Sequence, residues 1–438
     1  MKRHWLLGVA ALGALTVGSA MPPALAAPTE ISLVGWGGPE EKVIIQEVIR
    51  RFEAKNPDLK VKYTQIPGVG YEYLNKVRLL IVAGMAPDVF YVPDGAFAEM
   101  ASRHTLLNLD AYVAKSKIVK VGDMWPSAVD RYRWDGARSQ RGALYCLPKD
   151  IGPNVMFYNK DVLKARGVKA PDPKTPMTWD EAIATWKKLS WNEGRSQHYG
   201  ISGYPYEAAV WSSGGEIVSE DKRSWVLNSP QGIAGVQWAA DLGLVHKVAP
   251  DGSKTAGGSG SSSPGQLFES QLAAMHIDGR WMVPRFRKLG FDWDVAPLPV
   301  PKKGAKSITW SGSVGFGISS STKRAGESFR LVEYMAGPEG QTEMTKSGLQ
   351  VPNQRWLAET DVYMQRGQKP AHPEVFLASA ATSRPGPWTD TPNTFWHDVY
   401  WTFIGKIWRG ERKAKDILPE LSPLINETLR ENNPDGRK

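Results

Sequence analysis

Cysteine is almost absent from this chain: Cys146 is the only one among 438 residues. No internal disulfide can form, and no cysteine near the N-terminus offers a site for a lipid anchor. Without disulfides the chain must be held by its core, and about 400 residues bury enough apolar surface for that. Cys146 lies between Tyr145 and Leu147 and reads as a small core residue rather than a nucleophile. Long apolar runs are missing after residue 20, and no later stretch approaches the roughly 20 residues of a transmembrane helix. Catalytic signatures are missing as well. There is no His-Glu-x-x-His, no Cys-x-x-Cys and no Gly-x-Ser-x-Gly, and the seven histidines stand apart from one another. These absences weigh against metal or nucleophilic catalysis and towards binding, with no cofactor. Acidic residues are plentiful, so a glycosidase pair of carboxylates stays open by counting alone. Blocks of like charge are lacking too. Lys and Arg exceed Asp and Glu by nine, but they are scattered (Lys115, Lys117, Lys120; Arg131, Arg133, Arg138), which fits a solvated surface and no nucleic-acid partner.

What is present begins with a leader. Lys2 and Arg3 precede an apolar stretch over residues 6–20, and Ala24 and Ala26 form an A-x-A cleavage pattern. Residues 1–26 read as a secretory signal peptide, removed to leave a soluble exported protein with no stable membrane insertion. Tryptophan is abundant, 18 in all. An indole offers a large apolar face and one N–H donor, so the excess favours a flat or carbohydrate ligand.

Hydrophobic periodicity alternates between strand and helix. ISLVGW (31–36) is a buried strand, and PEEKVIIQEVIRRFEAKNP then carries Ile45, Val48, Ile49 and Phe52 at helical spacing. LKVKYTQIP and DVFYV (88–92) are further strands around a helix at 71–84, an order that favours a parallel sheet. NVMFYN (154–159), HYGISG (198–203), FDWDVAPLP and SVGFGIS are predicted strands. Thr178 and Glu181 form a capping box that opens a helix, and residues 229–243 form another. The tract at 251–265 is a Gly/Ser loop without the G-K-[ST] ending of a phosphate loop. The chain divides into two α/β blocks, with crossings expected near 148–153 and 309–313 and a third near Pro352.

Four strand ends carry polar and aromatic groups: Trp36-Gly37-Gly38, Pro93-Asp94-Gly95, Asp278-Gly279-Arg280-Trp281 and Ser311-Gly312-Ser313. In open α/β sheets ligands bind beyond the carboxyl ends of strands. Each end alone reads as a turn or a core aromatic, and the four together point to a binding cleft.

In order along the chain, WGGPEE, FEAKNPDLKVKY, APDVFYVPDG (86–95), LPKDIGPNVMFYNKDVL (147–163), TPMTWDEA (175–182), FESQLAAMHIDGRW (268–281), SGSVGFGIS (311–319) and YMAGPEGQTEMTKSGLQVPN (334–353) resemble the extracellular solute-binding proteins of ABC importers, in their maltose-binding-protein-like sugar group. The resemblance implies an α/β, two-lobed periplasmic-binding-protein fold, each lobe a mostly parallel sheet flanked by helices. The lobes would be 27–149 with 311–354, and 150–310 with 355–438. It further implies a sugar ligand held in the cleft between lobes, hinge closure, delivery to the permease subunits of the transporter, a monomer, and a periplasmic location. Carried over by position, Trp36 and Gly37 would line the first lobe and Asp94 would accept hydrogen bonds from sugar hydroxyls. Asp150 would lie at the hinge, Tyr206 and Trp211 would supply aromatics of the second lobe, and Trp281 would stack on a ring. Asp278 and Arg280 would share contact and bracing of the turn, Gly312 and Ser313 would offer backbone and hydroxyl groups, and Trp388 would be a further stacking residue. Two other readings stay open: the same fold holding another solute, such as a glycerol phosphodiester (through Arg280 and Arg285) or a polyamine, and an exported carbohydrate-active enzyme.

Overall fold

A computed structural model describes Met1 and residues 27–66, 71–251, 264–388 and 395–431. Apart from Met1, the predicted signal peptide lies outside the described residues, as does most of the Gly/Ser tract (252–263).

The first lobe is built on a five-stranded sheet, in the order Leu59–Ile66, Thr29–Trp36, Val89–Pro93, Val314–Ile318, Cys146–Pro148. The helix Pro39–Lys55 covers it because Ile45, Val48, Ile49 and Phe52 fall on one face. Proline occupies its first turn, and Glu40 and Glu41 sit at its positive end. The second lobe has its own five-stranded sheet, in the order Trp293–Ala296, Val155–Asn159, Ala273–Asp278, Ser196–Ser202, Trp191–Glu193. The helix Trp179–Lys188 lies over it and opens on the expected capping box. Cys146 is buried in the first sheet.

The sheets are mixed rather than mostly parallel. In the first, Thr29–Trp36 pairs in parallel with both neighbours, whereas Val314–Ile318 runs antiparallel to both of its own. In the second, only Ser196–Ser202 with Ala273–Asp278 is parallel. The reason is topological. A strand that enters a sheet from a crossing between lobes runs in the direction of its crossing, and no helical crossover is there to turn it parallel.

A third sheet holds only three short strands, Ser311–Gly312, Asp150–Pro153 and Val351–Pro352, all antiparallel. The chain leaves the first sheet at Pro148, passes through Asp150–Pro153 and enters the second at Val155. It returns through Ser311–Gly312 to Val314. Buried side chains brace these passages. Gln350 and Gln341 donate to the Lys149 carbonyl at 3.0 Å each, and Asn353 reaches the carbonyls of Pro148 (2.5 Å) and Ala336 (3.0 Å). Among the described residues no helix is long and apolar enough to cross a membrane.

Candidate functional site

The ends of the central strands and the three-stranded sheet meet in one region. Asp94 follows Val89–Pro93 directly and is 6% exposed. Its Oδ2 accepts from Arg131 Nη1 at 2.6 Å, and its backbone N–H donates to the Ser313 carbonyl at 3.1 Å. Arg131, 4% exposed, also donates to the Ser311 carbonyl (2.8 Å), to Ser311 Oγ (2.6 Å) and to the Ser127 carbonyl (3.0 Å). Burial lifts the Asp94 carboxyl to about 6, against the opposing pull of Arg131. Asp94 is thus half committed already, holding the first lobe to the Ser311–Gly312 strand as well as facing this region.

A second ion cluster lies beside it. Lys149 Nζ sits 3.0 Å from Asp150 Oδ2 and 3.3 Å from Glu41 Oε1, with its side chain almost wholly buried. Burial alone would depress the ammonium, yet Asp150 and Glu41 together hold it above the ordinary lysine range. Burial raises Glu41, outweighing Lys149. Asp150 also accepts from the Val314 N–H at 3.0 Å, and its carbonyl accepts from Ser313 Oγ at 2.7 Å. Ser313 Oγ lies 3.2 Å from the Tyr132 hydroxyl. Ser313, expected to offer its hydroxyl, spends it within the fold. The Lys149 ammonium is 5.9 Å from the Tyr91 ring, and Tyr91 meets Trp36 edge-on at 5.2 Å. Trp36 also contacts Tyr73 at 4.7 Å, so it joins the site at its rim, braced by two tyrosines. Gly37 adopts φ +133°, and a Cβ there would strike Glu41.

Glycines make room for indoles. The Trp281 ring lies against the third sheet, since a Cβ on Gly152 would come within 2.6 Å of its Cζ3. A Cβ on Gly279 would come within 2.1 Å of the same ring. Gly279 has φ −97°, so it is needed for this space and not for a left-handed turn. Trp281 remains 37% exposed. Asp278 braces the turn, with Oδ2 3.1 Å from His276 Nε2 and Oδ1 accepting the Gly279 N–H at 2.8 Å. Arg280, expected near the ligand, is 1% exposed and stacks on Tyr363, its carbon 4.0 Å from the ring centroid. The turn that presents Trp281 sends the preceding side chain inward. Gly312 leaves space for Trp310, whose ring a Cβ would meet at 2.8 Å.

Tyr206 and Trp211 lie on the helix Tyr206–Ser212, both buried in a cluster with Trp225, Trp396, Tyr400 and Ile404. Trp388 packs on the same cluster and reaches the first lobe, its Nε1 2.8 Å from where a Cβ of Gly95 would stand. Lys288 of the second lobe also meets Glu40 of the first at 2.9 Å. Arg384 lies 5.7 Å from the Trp211 ring, and its carbonyl accepts from the Ser311 N–H at 2.8 Å.

Asp94, Asp150, Gly312, Ser313 and Trp281 therefore lie together, Trp36, Gly37 and Trp388 border them, Tyr206 and Trp211 pack in the core of their own cluster, and Arg280 turns inward. Sequence reasoning missed Arg131, Lys149, Glu41, Gly152 and Arg384. Only Gly152, a glycine inside a short strand, carries a local signal. Among the described residues no group of three or more His, Cys, Asp or Glu side chains is placed to hold a metal ion.

A profile of the family described as "Bacterial extracellular solute-binding protein" matches residues 37–342. A galactooligosaccharide-binding protein of Bacillus subtilis is 24% identical over 341 residues, 76% of this chain and 75% of that one. A maltooligosaccharide ABC transporter solute-binding lipoprotein of Streptococcus pneumoniae is 22% identical over 453 residues, covering 98% of this chain and 99% of its own. Among solved structures, an ABC substrate-binding protein from Listeria monocytogenes in complex with cycloalternan superposes with a TM-score of 0.80 at 23% identity, covering 92% of this chain and 99% of that one. UgpB from Mycobacterium tuberculosis in complex with glycerophosphocholine gives 0.75 at 16% identity, covering 93% and 99%. One fold accommodates both kinds of ligand, so the fold alone does not select between them.

Proposed function

Because the chain belongs to the bacterial extracellular solute-binding protein family, we propose that it captures a neutral saccharide, an oligosaccharide in preference to a single ring, for delivery to the permease of an ABC importer. Residues 27–149 with 311–354 form one lobe and 150–310 with 355–438 the other, and the three-stranded sheet is the hinge between them. Trp281 carries the reading. A partly exposed indole packed against the strand at Gly152 offers apolar surface to a sugar ring. Asp94 and Asp150 border it as acceptors for hydroxyl groups, and charge-assisted hydrogen bonds are the strong ones.

The charge balance favours a neutral solute. The cations at this site are already paired: Arg131 with Asp94, Lys149 with Asp150 and Glu41, and Arg384 with Glu216 at 2.5 Å. An anionic head group in the cleft would look to Arg280 and Arg285, but Arg280 is turned inward onto Tyr363 and Arg285 is paired with Glu269 at 2.6 Å. The relatives named above are binding proteins, and this chain shares their role rather than that of an enzyme. It acts as a monomer after export to the periplasm and loss of residues 1–26.

The test is a fluorescence titration of the mature protein with a panel of mono- and oligosaccharides, with glycerophosphodiesters as a second arm. At least one oligosaccharide binds with a Kd in the micromolar range or tighter, about −8 kcal/mol. Trp281→Ala weakens it by about 2 kcal/mol or more, as expected of an aromatic hot spot. A loss below about 1 kcal/mol, or binding confined to the phosphodiesters, overturns the reading.

A further inference from the structure

Arg280 opens the turn Arg280–Met282 and is the one arginine among the largest fully buried side chains. Its Nη2 donates to the Tyr363 carbonyl at 3.0 Å. Its Nε and Nη1 have no hydrogen-bond partner among the described residues. The Tyr363 and Phe376 rings, 4.0 and 5.5 Å from the guanidinium carbon, attract its charge. A stacked ring occupies the face of a guanidinium, however, and leaves N–H donors in its plane unmet.

The charge is not balanced locally. Among the described residues no carboxylate forms an ion pair with Arg280. Asp278 is turned to His276 and to the Gly279 N–H, Glu269 pairs with Arg285 at 2.6 Å, and Glu374 acts on the Tyr363 hydroxyl. A second cation lies nearby. Arg287 lies close enough for Arg280 to add to the effect of burial in lowering it to about 10. Its own contacts are neutral: the Lys369 carbonyl (2.7 Å), Gln365 Oε1 (2.5 Å) and the Ser347 carbonyl (3.5 Å). The two rings that meet Arg280, Tyr363 and Phe376, belong to a buried apolar cluster with Ile151, Val283, Phe286 and Val351, and Ile151 and Val351 come from the three-stranded sheet. A buried charge without a counter-charge is strongly unfavourable, and so is a pair of like charges.

We propose that Arg280, assisted by Arg287, receives one small anion behind the strand Asp150–Pro153, at a site separate from the solute cleft. The ligand is a compact anion that accepts N–H hydrogen bonds, such as chloride, inorganic phosphate or a simple carboxylate.

The test is thermal unfolding of the mature chain, dialysed into HEPES at fixed ionic strength and titrated in turn with chloride, phosphate and acetate. One anion raises the wild-type Tm saturably by about 3 °C or more, the scale expected for ligand at many times its Kd. Isothermal titration of that anion gives one site per chain. Arg280→Met abolishes the response and, without the anion, melts above wild type because an uncompensated charge is gone. Arg280→Lys keeps the charge but shifts the midpoint at least about 10-fold, since it loses the planar donor set. Arg285→Met, at an exposed paired position, responds as wild type does. The proposal falls if wild type shows no saturable response to any of the three, a result that needs no variant to fold. It also falls if Arg280→Met retains the response. Both outcomes leave the saccharide titration untouched, so the two readings fail independently.

Discussion

Replacing Arg131 by methionine should be among the most damaging single changes to this protein, and its cost should depend on pH. The side chain makes four hydrogen bonds, to Asp94 Oδ2, to Ser311 twice and to the Ser127 carbonyl. Methionine fills part of the volume but leaves Asp94 buried with its counter-charge removed. Breaking a buried pair in this way costs about 3–5 kcal/mol, and four hydrogen bonds at about 1 kcal/mol each give a similar figure. The loss is limited because Asp94 can protonate instead of staying charged. In wild type its folded value, about 6, lies above the ordinary 3.8. Its contribution to stability is therefore full below about pH 3.8 and lost as pH rises through 6. Without Arg131 the folded value climbs further, so the variant continues to lose stability above pH 6, by up to about 1.4 kcal/mol per pH unit. Urea unfolding followed by tryptophan emission at pH 6 and pH 8 measures this. The penalty should exceed about 3 kcal/mol at pH 8 and shrink at pH 6, and adding Asp94→Asn should remove the pH dependence. A penalty under 1 kcal/mol at pH 8, or one equal at both pH values, refutes the reasoning.

Three further outcomes follow from the geometry. Gly152→Val places a Cβ 2.6 Å from Trp281 Cζ3, so the indole must lift off the strand. Saccharide affinity should fall at least 10-fold, about 1.4 kcal/mol, with a shift in tryptophan emission, and unchanged affinity contradicts the platform. Gly95→Ala intrudes on Trp388, 2.8 Å from the new Cβ, and should part the lobes, raising the radius of gyration of the solute-free protein in X-ray scattering; an identical radius contradicts the contact. Burial lifts Glu207 to about 7 from an ordinary value of 4.5, so its contribution is full below about pH 4.5 and lost as pH rises through 7. Glu207→Gln should therefore gain on wild type between pH 5 and pH 8, by up to about 3 kcal/mol, and parallel stability curves across that range exclude the effect.

Much of the local architecture was legible in the chain. The run Ile45, Val48, Ile49, Phe52 predicts the buried face of Pro39–Lys55, and Thr178 with Glu181 predicts the start of Trp179–Lys188. These are short-range signals, set by helical periodicity and by side chains that cap their own backbone. Strand direction was less legible. Parallel sheets were expected from alternating strands and helices, but Val155–Asn159 and Val314–Ile318 enter their sheets from crossings, and no local pattern encodes that. Of the candidate site, the sequence singled out residues at or beside strand ends, and the fold brings Asp94, Asp150, Gly312, Ser313 and Trp281 near one another. Their partners were not singled out, because Arg131 stands 37 residues from Asp94 and 180 from Ser311, and an arginine that will be buried reads in sequence like any other.

The sequence by itself determined the class of molecule: a disulfide-free α/β chain with a leader pattern, ordered family landmarks and an excess of indoles. Tertiary structure decided what each candidate side chain does. Asp278-Gly279-Arg280-Trp281 makes the distinction plain. From sequence, Trp281 was the expected stacking residue, Gly279 the turn, and Asp278 and Arg280 could not be told apart as ligand contact or brace. In the fold Asp278 braces the turn, Gly279 yields its space to an indole, Arg280 enters the interior and Trp281 faces outward. Adjacent residues in a tight turn point in different directions, and which direction meets solvent depends on the elements packed against the turn from elsewhere in the chain. Here those are the short strand at Gly152 and the ring of Tyr363, which lie 129 and 82 residues from the indole they help to place.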